Sequence, residues 1–412
     1  MNLNLILPLL LLSIVSCKDN RNNPKLNPSE VNIFHFNIKE LDSTKIRKKN
    51  KQLKSVKEII SKYDMNIVSF NEVQYDLPQV PNNNYSTTGT NISKLTHILG
   101  LGRLGKTSFQ QANTGNNALR RSDGSYEVNP YAKGARSLAD LVNFGIFPGQ
   151  YSTGAAFDYP IISETVFTDI KWTDFNPDQV PSDFTMANGE KLPNNMPLFD
   201  KNFTDVVLKI NKRDVHLILF HTVPSFHFGN KNSPNYVRNQ DQLRFLEWYL
   251  TGSTDREVKL EGISPLDKDS YFIAIGDWNV DLKSEDSPGR VNLKRILNKT
   301  NPWISPSEFS FTNESSRFSP KPFRLMLDYI VVSKNIEVLE GEIIHPKFKR
   351  EELECRPADD KRKFRKTKKG MTLVSYLTQD RSEICYVLID SNYYNFKIAS
   401  DHYPLRAKLK ID

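Results

Sequence analysis

The chain has 412 residues, of which 38% are hydrophobic and 11% aromatic, and this composition excludes an intrinsically disordered protein. Its length allows one large domain or two or three ordinary ones. The formal net charge of +8 would indicate an anionic partner if it were evenly spread. Residues 345–370, however, hold eleven Lys and Arg against five Asp and Glu, so +6 of this charge is local.

The first 29 residues predict an export signal followed by a tether. Residues 1–16 carry no charged side chain and are too short for a membrane-spanning helix, which needs about 20 residues. The sequence IVSC resembles the end of a bacterial lipoprotein signal and makes Cys17 the predicted lipidation site. A plain secretory signal is the alternative, because no Lys or Arg follows Met1.

Residues 17–29 are polar and predict a flexible link between lipid and domain. The expected location is therefore the periplasmic or outer surface of a bacterial membrane, through a lipid anchor. If Cys17 is not lipidated, the expected location changes to secreted.

Apolar runs with a period of two alternate with runs at helical spacing, which predicts an α/β (layered α+β) protein. In chain order, the predicted strands are 31–38, 66–70, 205–210, 214–220, 271–276, 325–332 and 403–411, and the predicted helices are 42–63 and 235–250. The sequence has no internal repeat and no Gly-rich phosphate loop.

Polar side chains stand at or just beyond the ends of these strands. They are Asn37, Glu72, His221, Asp277, Asn279, Asp401 and His402. Singly, each has an ordinary explanation, since Asn and Asp tolerate turn conformations. Together they suit a hard divalent cation, a carboxylate that activates water and an imidazole that donates a proton. This combination predicts phosphoester hydrolysis, whose transition state gathers charge on the phosphate oxygens.

The chain resembles the endonuclease/exonuclease/phosphatase superfamily, which has a deoxyribonuclease I-like fold. The motifs that carry the resemblance are FHFN (34–37), FNE (70–72), FHTVP (220–224), GDWN (276–279), LDYIVVS (327–333) and SDHYP (400–404). A bacterial exported branch is closer still, through NTG (113–115), FGIFPGQYSTGAAFDYPI (144–161) and YVRNQDQLRFL (236–246).

The resemblance implies a four-layer α/β/β/α sandwich of two packed mixed β-sheets flanked by helices. It implies a single catalytic domain over 30–412, with insertions near 73–150 and 345–395. Mg²⁺ would be the cofactor, with Mn²⁺ or Ca²⁺ as alternatives. Glu72 would be the principal metal ligand, with Asn37 beside it and Asp401 near the ion.

The resemblance also implies roles around the phosphate. Asp277 and Asn279 would align or deprotonate the attacking water and contact the phosphate. His402, oriented by Asp328, would stabilise the transition-state charge or the leaving oxygen, and His221 would donate to the scissile phosphate. A carboxylate bonded to a histidine raises its basicity and fixes its tautomer, which agrees with these roles. Trp278 is expected to pack behind the site.

Two positions depart from the family pattern. Asn71 stands where many members have Gln, which shortens the reach of the amide. Asp158 stands where members commonly have Arg, and we interpret it as a solvated turn residue.

Several residues are candidates for substrate contact. Arg238 and Asn239 open the second predicted helix and either reach the pocket or are exposed. Tyr131, Lys133 and Arg136 lie in the 73–150 insertion, which is rich in Asn, Gly and Thr and predicts a long loop near the site. An ordinary surface loop is the alternative for these three.

The second insertion contains two cysteines and a basic segment. Cys355 and Cys385 either pair in the oxidising compartment of an exported protein or remain free thiols. Residues 361–369 (KRKFRKTKK) carry seven cations in nine residues. They either bind a polyanion, such as nucleic acid or anionic lipid headgroups, or form a solvated hairpin tip.

The sequence therefore predicts an exported phosphoesterase that hydrolyses a phosphodiester, nucleic acid or related, by in-line attack of water. The alternatives are a phosphomonoesterase on sugar or inositol phosphates and a sphingomyelinase-like phosphodiesterase. A surface-binding lipoprotein without catalysis is the alternative of another class. No obligate protein partner is evident.

Overall fold

The computed structural model describes residues 29–48, 50–225, 232–315, 318–360 and 362–412. The predicted leader, the lipidation site Cys17 and the tether up to residue 28 lie outside these ranges. Among the described helices, none is both long and apolar enough to cross a membrane.

The strands and helices alternate along the chain. The strands are β1 (Glu30–Leu41), β2 (Ile67–Val73), β3 (Lys106–Phe109), β4 (Ser152–Phe157), β5 (Ile161–Val166), β6 (Thr204–Ile210), β7 (Arg213–His221), β8 (Tyr271–Asp277), β9 (Asn301–Pro302), β10 (Asn313–Glu314), β11 (Arg324–Leu325), β12 (Asp328–Val332), β13 (Glu337–Ile343), β14 (Arg350–Pro357), β15 (Met371–Leu377), β16 (Glu383–Asp390) and β17 (Leu405–Lys410). The helices are α1 (Ser43–Arg47), α2 (Lys51–Ile60), α3 (Asn91–Leu99), α4 (Ala135–Leu138), α5 (Trp172–Phe175), α6 (Pro234–Thr251), α7 (Gly289–Lys299) and α8 (Ser391–Ala399).

Two six-stranded mixed sheets form the centre of the molecule. The first has the order β13-β17-β1-β2-β4-β3 and the second the order β5-β6-β7-β8-β12-β9. Each sheet has one parallel pair at its centre, β1 with β2 and β7 with β8, and antiparallel neighbours on both sides. The carboxyl ends of the four central strands can therefore carry side chains to a common edge.

The alternation in β1 shows how the layers arise. Val31 and Ile33 belong to the core between the sheets, whereas Phe34, Phe36 and Ile38 pack against α2, α3 and α8 on the outer face. A period of two sends successive side chains to opposite faces, so both faces of this strand are apolar. On the far side of the second sheet, α6 and α7 contribute to the core. The predicted four-layer α/β/β/α sandwich is confirmed.

The first insertion contains more regular structure than the expected long loop. Helix α3 packs Ile92 and Leu95 onto the outer face of the first sheet, and β3 pairs with β4 at its edge. The expectation was wrong here because the apolar residues of α3 make one short run, which gives a weak periodic signal.

The second insertion forms a separate three-stranded antiparallel sheet in the order β14-β16-β15. Cys355 and Cys385 lie opposite each other on β14 and β16 and form a disulfide, which settles one of the two alternatives. Residues 362–369 connect β14 to β15, and all but Phe364 are exposed. Lys361 lies outside the described residues.

Two predicted elements are divided in the structure. The helix expected over 42–63 becomes α1 and α2, because the Asn50 side chain accepts a hydrogen bond from the Leu53 N–H and starts a new helix. The strand expected over 325–332 becomes β11 and β12. Between them the Met326 N–H bonds to Asp281 and the Leu327 N–H to Thr312, instead of to a neighbouring strand.

Candidate active site

The sheet topology brings the strand-end residues together at one edge of the sandwich. Asn37 is on β1, Glu72 on β2, and His221 and Asp277 at the ends of β7 and β8. Because β12 runs antiparallel to β8, Asp328 at its start lies opposite Asp277. These residues, with Asn279, Asp401 and His402, bound the site.

A buried carboxylate–histidine pair forms one side of the site. His402 Nδ1 donates to Asp328 Oδ2 at 2.7 Å, and Asp328 is anchored by its own N–H, which donates to Thr312 Oγ1 at 2.9 Å. Burial lowers the pKa of His402, but the carboxylates of Asp328 and Asp277 outweigh it and raise the pKa to about 10. His402 is therefore a cation at neutral pH, with Nε2 3.8 Å from Asp277 Oδ2.

Asp277 stands at the centre of the site. Its N–H donates to Asn71 Oδ1 at 2.9 Å, and its Oδ1 accepts from the Asn279 N–H at 2.9 Å. Its Oδ2 accepts from Asn37 Nδ2 at 3.1 Å. Burial and the neighbouring Asp328 raise the pKa of Asp277, which makes its carboxylate a stronger base than an ordinary aspartate.

The raised pKa of Asp277 has its counterpart in Asp328. Burial raises the pKa of Asp328, but the imidazoles of His402 and His35 outweigh it and hold the pKa below its usual range. Two carboxylates with opposite pKa shifts are typical of a site that divides proton acceptance from charge stabilisation between them.

Glu72 offers its carboxylate to the cavity from a constrained backbone. Its φ is +63°, in the left-handed region, and its two oxygens accept from Asn37 Nδ2 at 3.1 Å and from the Glu40 N–H at 3.0 Å. Asn37 thus bonds to both carboxylates with its amide nitrogen, while its oxygen accepts from the Lys39 N–H at 3.1 Å. In this arrangement Asn37 positions Glu72 and Asp277.

His221 completes a group that fits a divalent cation. Ligand atoms of Glu72, His221 and Asp277 lie within 4.8 Å of one another. Burial and the nearby Lys201 hold the pKa of His221 well below its usual range, so the imidazole is neutral. Its buried Nδ1 has no hydrogen-bond partner within the described ranges. The two carboxylates fit Mg²⁺ or Mn²⁺ by donor type, whereas a neutral imidazole is a ligand that softer transition metals prefer.

The structure places Asp401 differently from the other predicted ligands. Its Oδ2 accepts from Lys39 Nζ at 2.5 Å. Burial raises the pKa of Asp401, but the Lys39 ammonium outweighs it and holds the pKa below its usual range. Asp401 is thus ionised and already paired with a cation.

Arg238 and Asn239 are both buried, and Arg238 also lines the cavity at the site. Arg238 is 1% exposed, and its guanidinium donates to the carbonyls of Leu198 and Pro197 at 2.9 and 2.7 Å. Asn239 is fully buried and donates to the Val223 carbonyl at 2.8 Å. The tentative substrate-binding role does not fit these contacts, because the donor groups of both side chains are used to hold loops beside the site.

The remaining sequence expectations have simple outcomes. Trp278 is fully buried between Phe220 and Tyr329, with ring centroids 5.2 and 5.3 Å away, as expected. Asp158 is exposed, as expected. Asn71 reaches Asp277 in spite of its shorter side chain.

A cavity of about 830 Å³ opens onto the site. Tyr131 and Arg136 line it together with Phe144 and Met186, whereas Lys133 is exposed elsewhere on the same insertion. The site is therefore bordered by a wall with apolar and aromatic side chains, built from the first insertion and from the segment between β5 and β6.

Sequence reasoning missed two residues of the site. His35 is buried, with Nε2 3.4 Å from Asp328 Oδ1 and Nδ1 2.9 Å from Ser69 Oγ. The period of two places it on the same face of β1 as Asn37, and this signal could have identified it. Lys39 had no such signal, because its direction depends on an irregularity of the strand.

The chain is similar to several solved structures. Among solved structures, an endonuclease/exonuclease/phosphatase from Beutenbergia cavernae superposes with a TM-score of 0.50 at 12% identity, over 93% of this chain and 72% of the other. A sphingomyelinase C from Streptomyces griseocarneus gives 0.44 at 13% identity, over 92% and 99% of the two chains. A β toxin from Staphylococcus aureus with bound magnesium ions gives 0.43 at 14% identity, over 92% and 99% of the two chains.

The comparison with curated protein sequences gives no match. The sequence profile of the Endonuclease/Exonuclease/phosphatase family, by contrast, matches residues 31–402, a span that contains every described residue of the site. The chain belongs to the Endonuclease/Exonuclease/phosphatase family.

Proposed function

We propose that the protein is an exported, divalent-cation-dependent phosphoesterase that hydrolyses a phosphodiester by direct attack of water. The observation that carries this proposal is the arrangement of His402, Asp328 and Asp277, in which a protonated imidazole and a carboxylate of raised pKa face each other. Membership of a hydrolase family that acts on phosphoesters supports the reaction class.

The proton transfers follow from these side chains. Asp277 Oδ2 accepts a proton from the attacking water, whose oxygen forms a bond to phosphorus. The ester P–O bond opposite breaks, and the leaving oxygen takes a proton from His402 Nε2. Asp328 stabilises the His402 cation before this transfer and fixes which nitrogen faces the phosphate.

Other residues bind and orient. Asn279 has a φ of +50° and donates from Nδ2 to the Thr222 carbonyl at 2.9 Å, which fixes its side chain beside Asp277. A divalent cation held by Glu72, when bound, would supply Lewis-acid stabilisation of the charge on the phosphate oxygens. No serine or cysteine nucleophile is required by this scheme.

Substrates rank with phosphodiesters first, nucleic acid included. Small phosphoesters such as sugar or inositol phosphates, and sphingomyelin, form the second candidate class. The observation that favours a small substrate is the cavity of about 830 Å³, a volume in the range of small-molecule sites. The fold does not choose among these substrates, because one fold can carry many specificities.

The purified full-length protein tests the proposal. We expect it to hydrolyse an aryl phosphodiester with Mg²⁺ or Mn²⁺ and to lose that activity in EDTA. Initial rates on DNA, RNA, sphingomyelin and inositol phosphates would rank the substrates. Absence of cation-dependent turnover on all of them would favour the binding lipoprotein instead.

The membrane location has its own test. The motif around Cys17 motivates it, and Cys17→Ala is expected to move the protein from the membrane fraction to the soluble exported fraction. An unchanged distribution would contradict lipid anchoring at this residue.

A further inference from the structure

A bulge at the end of β1 directs residues that the regular strand would not place in the site. The pairing of β1 with β2 shifts register between Asn37 and Leu41. Lys39 and Glu40 have φ values of +51° and +50°, in a region that side chains rarely adopt. Bulges of this kind re-aim side chains beside functional sites.

The bulge is held from behind by a single glutamine. Gln52 Nε2 on α2 donates to the carbonyls of Ile38 and Lys39 at 2.6 and 2.9 Å, and also faces the Ala399 carbonyl at 3.1 Å. The strained conformation is thus fixed by specific contacts, as expected of strain kept for a function.

The effect of the bulge is to place two groups at the candidate cation site. The Glu40 N–H bonds to Glu72 Oε2, and Lys39 Nζ reaches Asp401 Oδ2 at 2.5 Å. The Lys39 side chain remains 29% exposed and lines the cavity. Its ammonium is therefore paired with Asp401 and is still accessible from the cavity.

The contact with Lys39 separates Asp401 from the other carboxylates of the site. Ligand atoms cluster in two groups, one formed by Glu72, His221 and Asp277 and the other by Asp277, Asp328 and His402. Asp401 is in neither group among the described residues. A second divalent ion about 3.5–4 Å from the first would need a free carboxylate on its side, and Asp401 is neutralised by Lys39.

We propose that Lys39 is a built-in cation that takes the place of a second divalent ion: it pairs with Asp401 and binds a nonbridging oxygen of the substrate phosphate. The proposal rests on the proposed function and adds the Lys39 ammonium to the divalent ion and the His402 imidazolium as a cation that faces the substrate phosphate. Lysine suits this role because its ammonium is a compact point charge with three donors, so that it can contact Asp401 and a phosphate at once.

The number of bound Mn²⁺ ions tests the first half. Free Mn²⁺ is measured by electron paramagnetic resonance in titrations of the full-length protein. We expect one tightly bound ion in the wild type and in Lys39→Arg, and two in Lys39→Met, where Asp401 becomes available. The double variant Lys39→Met/Asp401→Asn should return to one.

The affinity for inorganic phosphate tests the second half. At saturating Mg²⁺, calorimetry should show phosphate binding weakened about tenfold in Lys39→Met, the equivalent of one charge-assisted contact. Lys209→Met is the matched control, since Lys209 also pairs with an aspartate, Asp214, at 2.7 Å, but through two exposed side chains next to the β6–β7 turn. It should leave both measurements unchanged.

Each result decides the proposal. Two Mn²⁺ ions in the wild type, no bound Mn²⁺, or a single ion in Lys39→Met would overturn the one-ion assignment. Phosphate affinity unchanged in Lys39→Met would overturn the phosphate contact. Lys39→Gln, checked by circular dichroism, replaces Lys39→Met if that variant does not fold. Ion counts and phosphate affinity are measured without turnover, so failure of the proposed reaction would be seen separately in the hydrolysis assay.

Discussion

The site and the three-stranded sheet of the second insertion differ in the environment of their charged side chains, which are buried at the site and exposed on the insertion. At the site Asp277, Asp328 and His402 are buried, and each has a pKa displaced by its neighbours. On the insertion, residues 362–369 carry more charge, but the side chains are exposed and several pair locally, as Lys368 does with Glu351. In this protein, buried charges with altered proton affinity indicate chemistry, whereas the number of charges does not.

Removal of the proton acceptor should reduce turnover more than any other change. Asp277→Asn should lower kcat for an aryl phosphodiester by about 10³-fold, within the range of general acid–base catalysis, and change KM little. Asp158→Asn, a change at an exposed carboxylate, is the control. If kcat fell by less than about threefold in Asp277→Asn, the buried charges of the site would not differ in function from the exposed charges of the insertion.

The next effect concerns the carboxylate behind the histidine. Asp328→Asn should lower kcat by about 10–100-fold, because His402 loses the partner that fixes and charges its ring. In the cation-free protein, NMR should show the His402 pKa falling from about 10 toward ordinary values in this variant.

The same titration has a consequence for stability. Because folding raises the pKa of His402, its contribution to the free energy of unfolding is complete below the ordinary histidine pKa and is lost as pH rises through about 10. Urea unfolding of the cation-free wild type between pH 6 and 11 should show this loss, and Asp328→Asn should show less of it. Equal pH profiles would contradict the ion pair.

A smaller effect, on stability alone, is expected on the insertion. The Cys355–Cys385 bond joins residues 30 positions apart, and replacing both by Ser should destabilise the three-stranded sheet by about 2–4 kcal/mol. Limited proteolysis would detect the loosened insertion, while hydrolysis by the intact fraction should be retained. A parallel loss of kcat would show that the two regions depend on each other.

The smallest effect is expected from the exposed cations. Replacing Lys363 and Arg365 by Ser should change the free energy of unfolding by less than about 0.5 kcal/mol. Salt dependence of binding to DNA and to anionic vesicles then separates the two interpretations of the basic segment. A slope flatter than in the wild type would show that these residues bind the polyanion, and an equal slope leaves them as a solvated connection.

Much of the fold and site followed from local pattern. The ends of β1, β2, β7 and β8 are marked by a change from apolar to polar residues, and parallel pairing brings such ends together. The role of Asp328 was less evident, because this residue stands at the start of a strand and not at its end. Its role was predicted from the resemblance to the family motif.

Other features depended on tertiary structure. The direction of Lys39 follows from a bulge held by Gln52, thirteen residues away in sequence. Arg238 begins a helix, where exposure is usual, and is buried because loops close over it. The disulfide required that Cys355 and Cys385 fall opposite each other in the register of β14 and β16. None of these is encoded in a local period.

The amide of Asn37 has one further consequence. Its Nδ2 donates to Glu72 of the first sheet and to Asp277 of the second, each at 3.1 Å, and so joins the two sheets. Catalytic alignment thus depends on how the two sheets are seated on each other, and a displacement of a few tenths of an ångström between them would separate the two carboxylates. Core substitutions between the sheets, far from the substrate, should for that reason reduce turnover under conditions in which the protein is still fully folded.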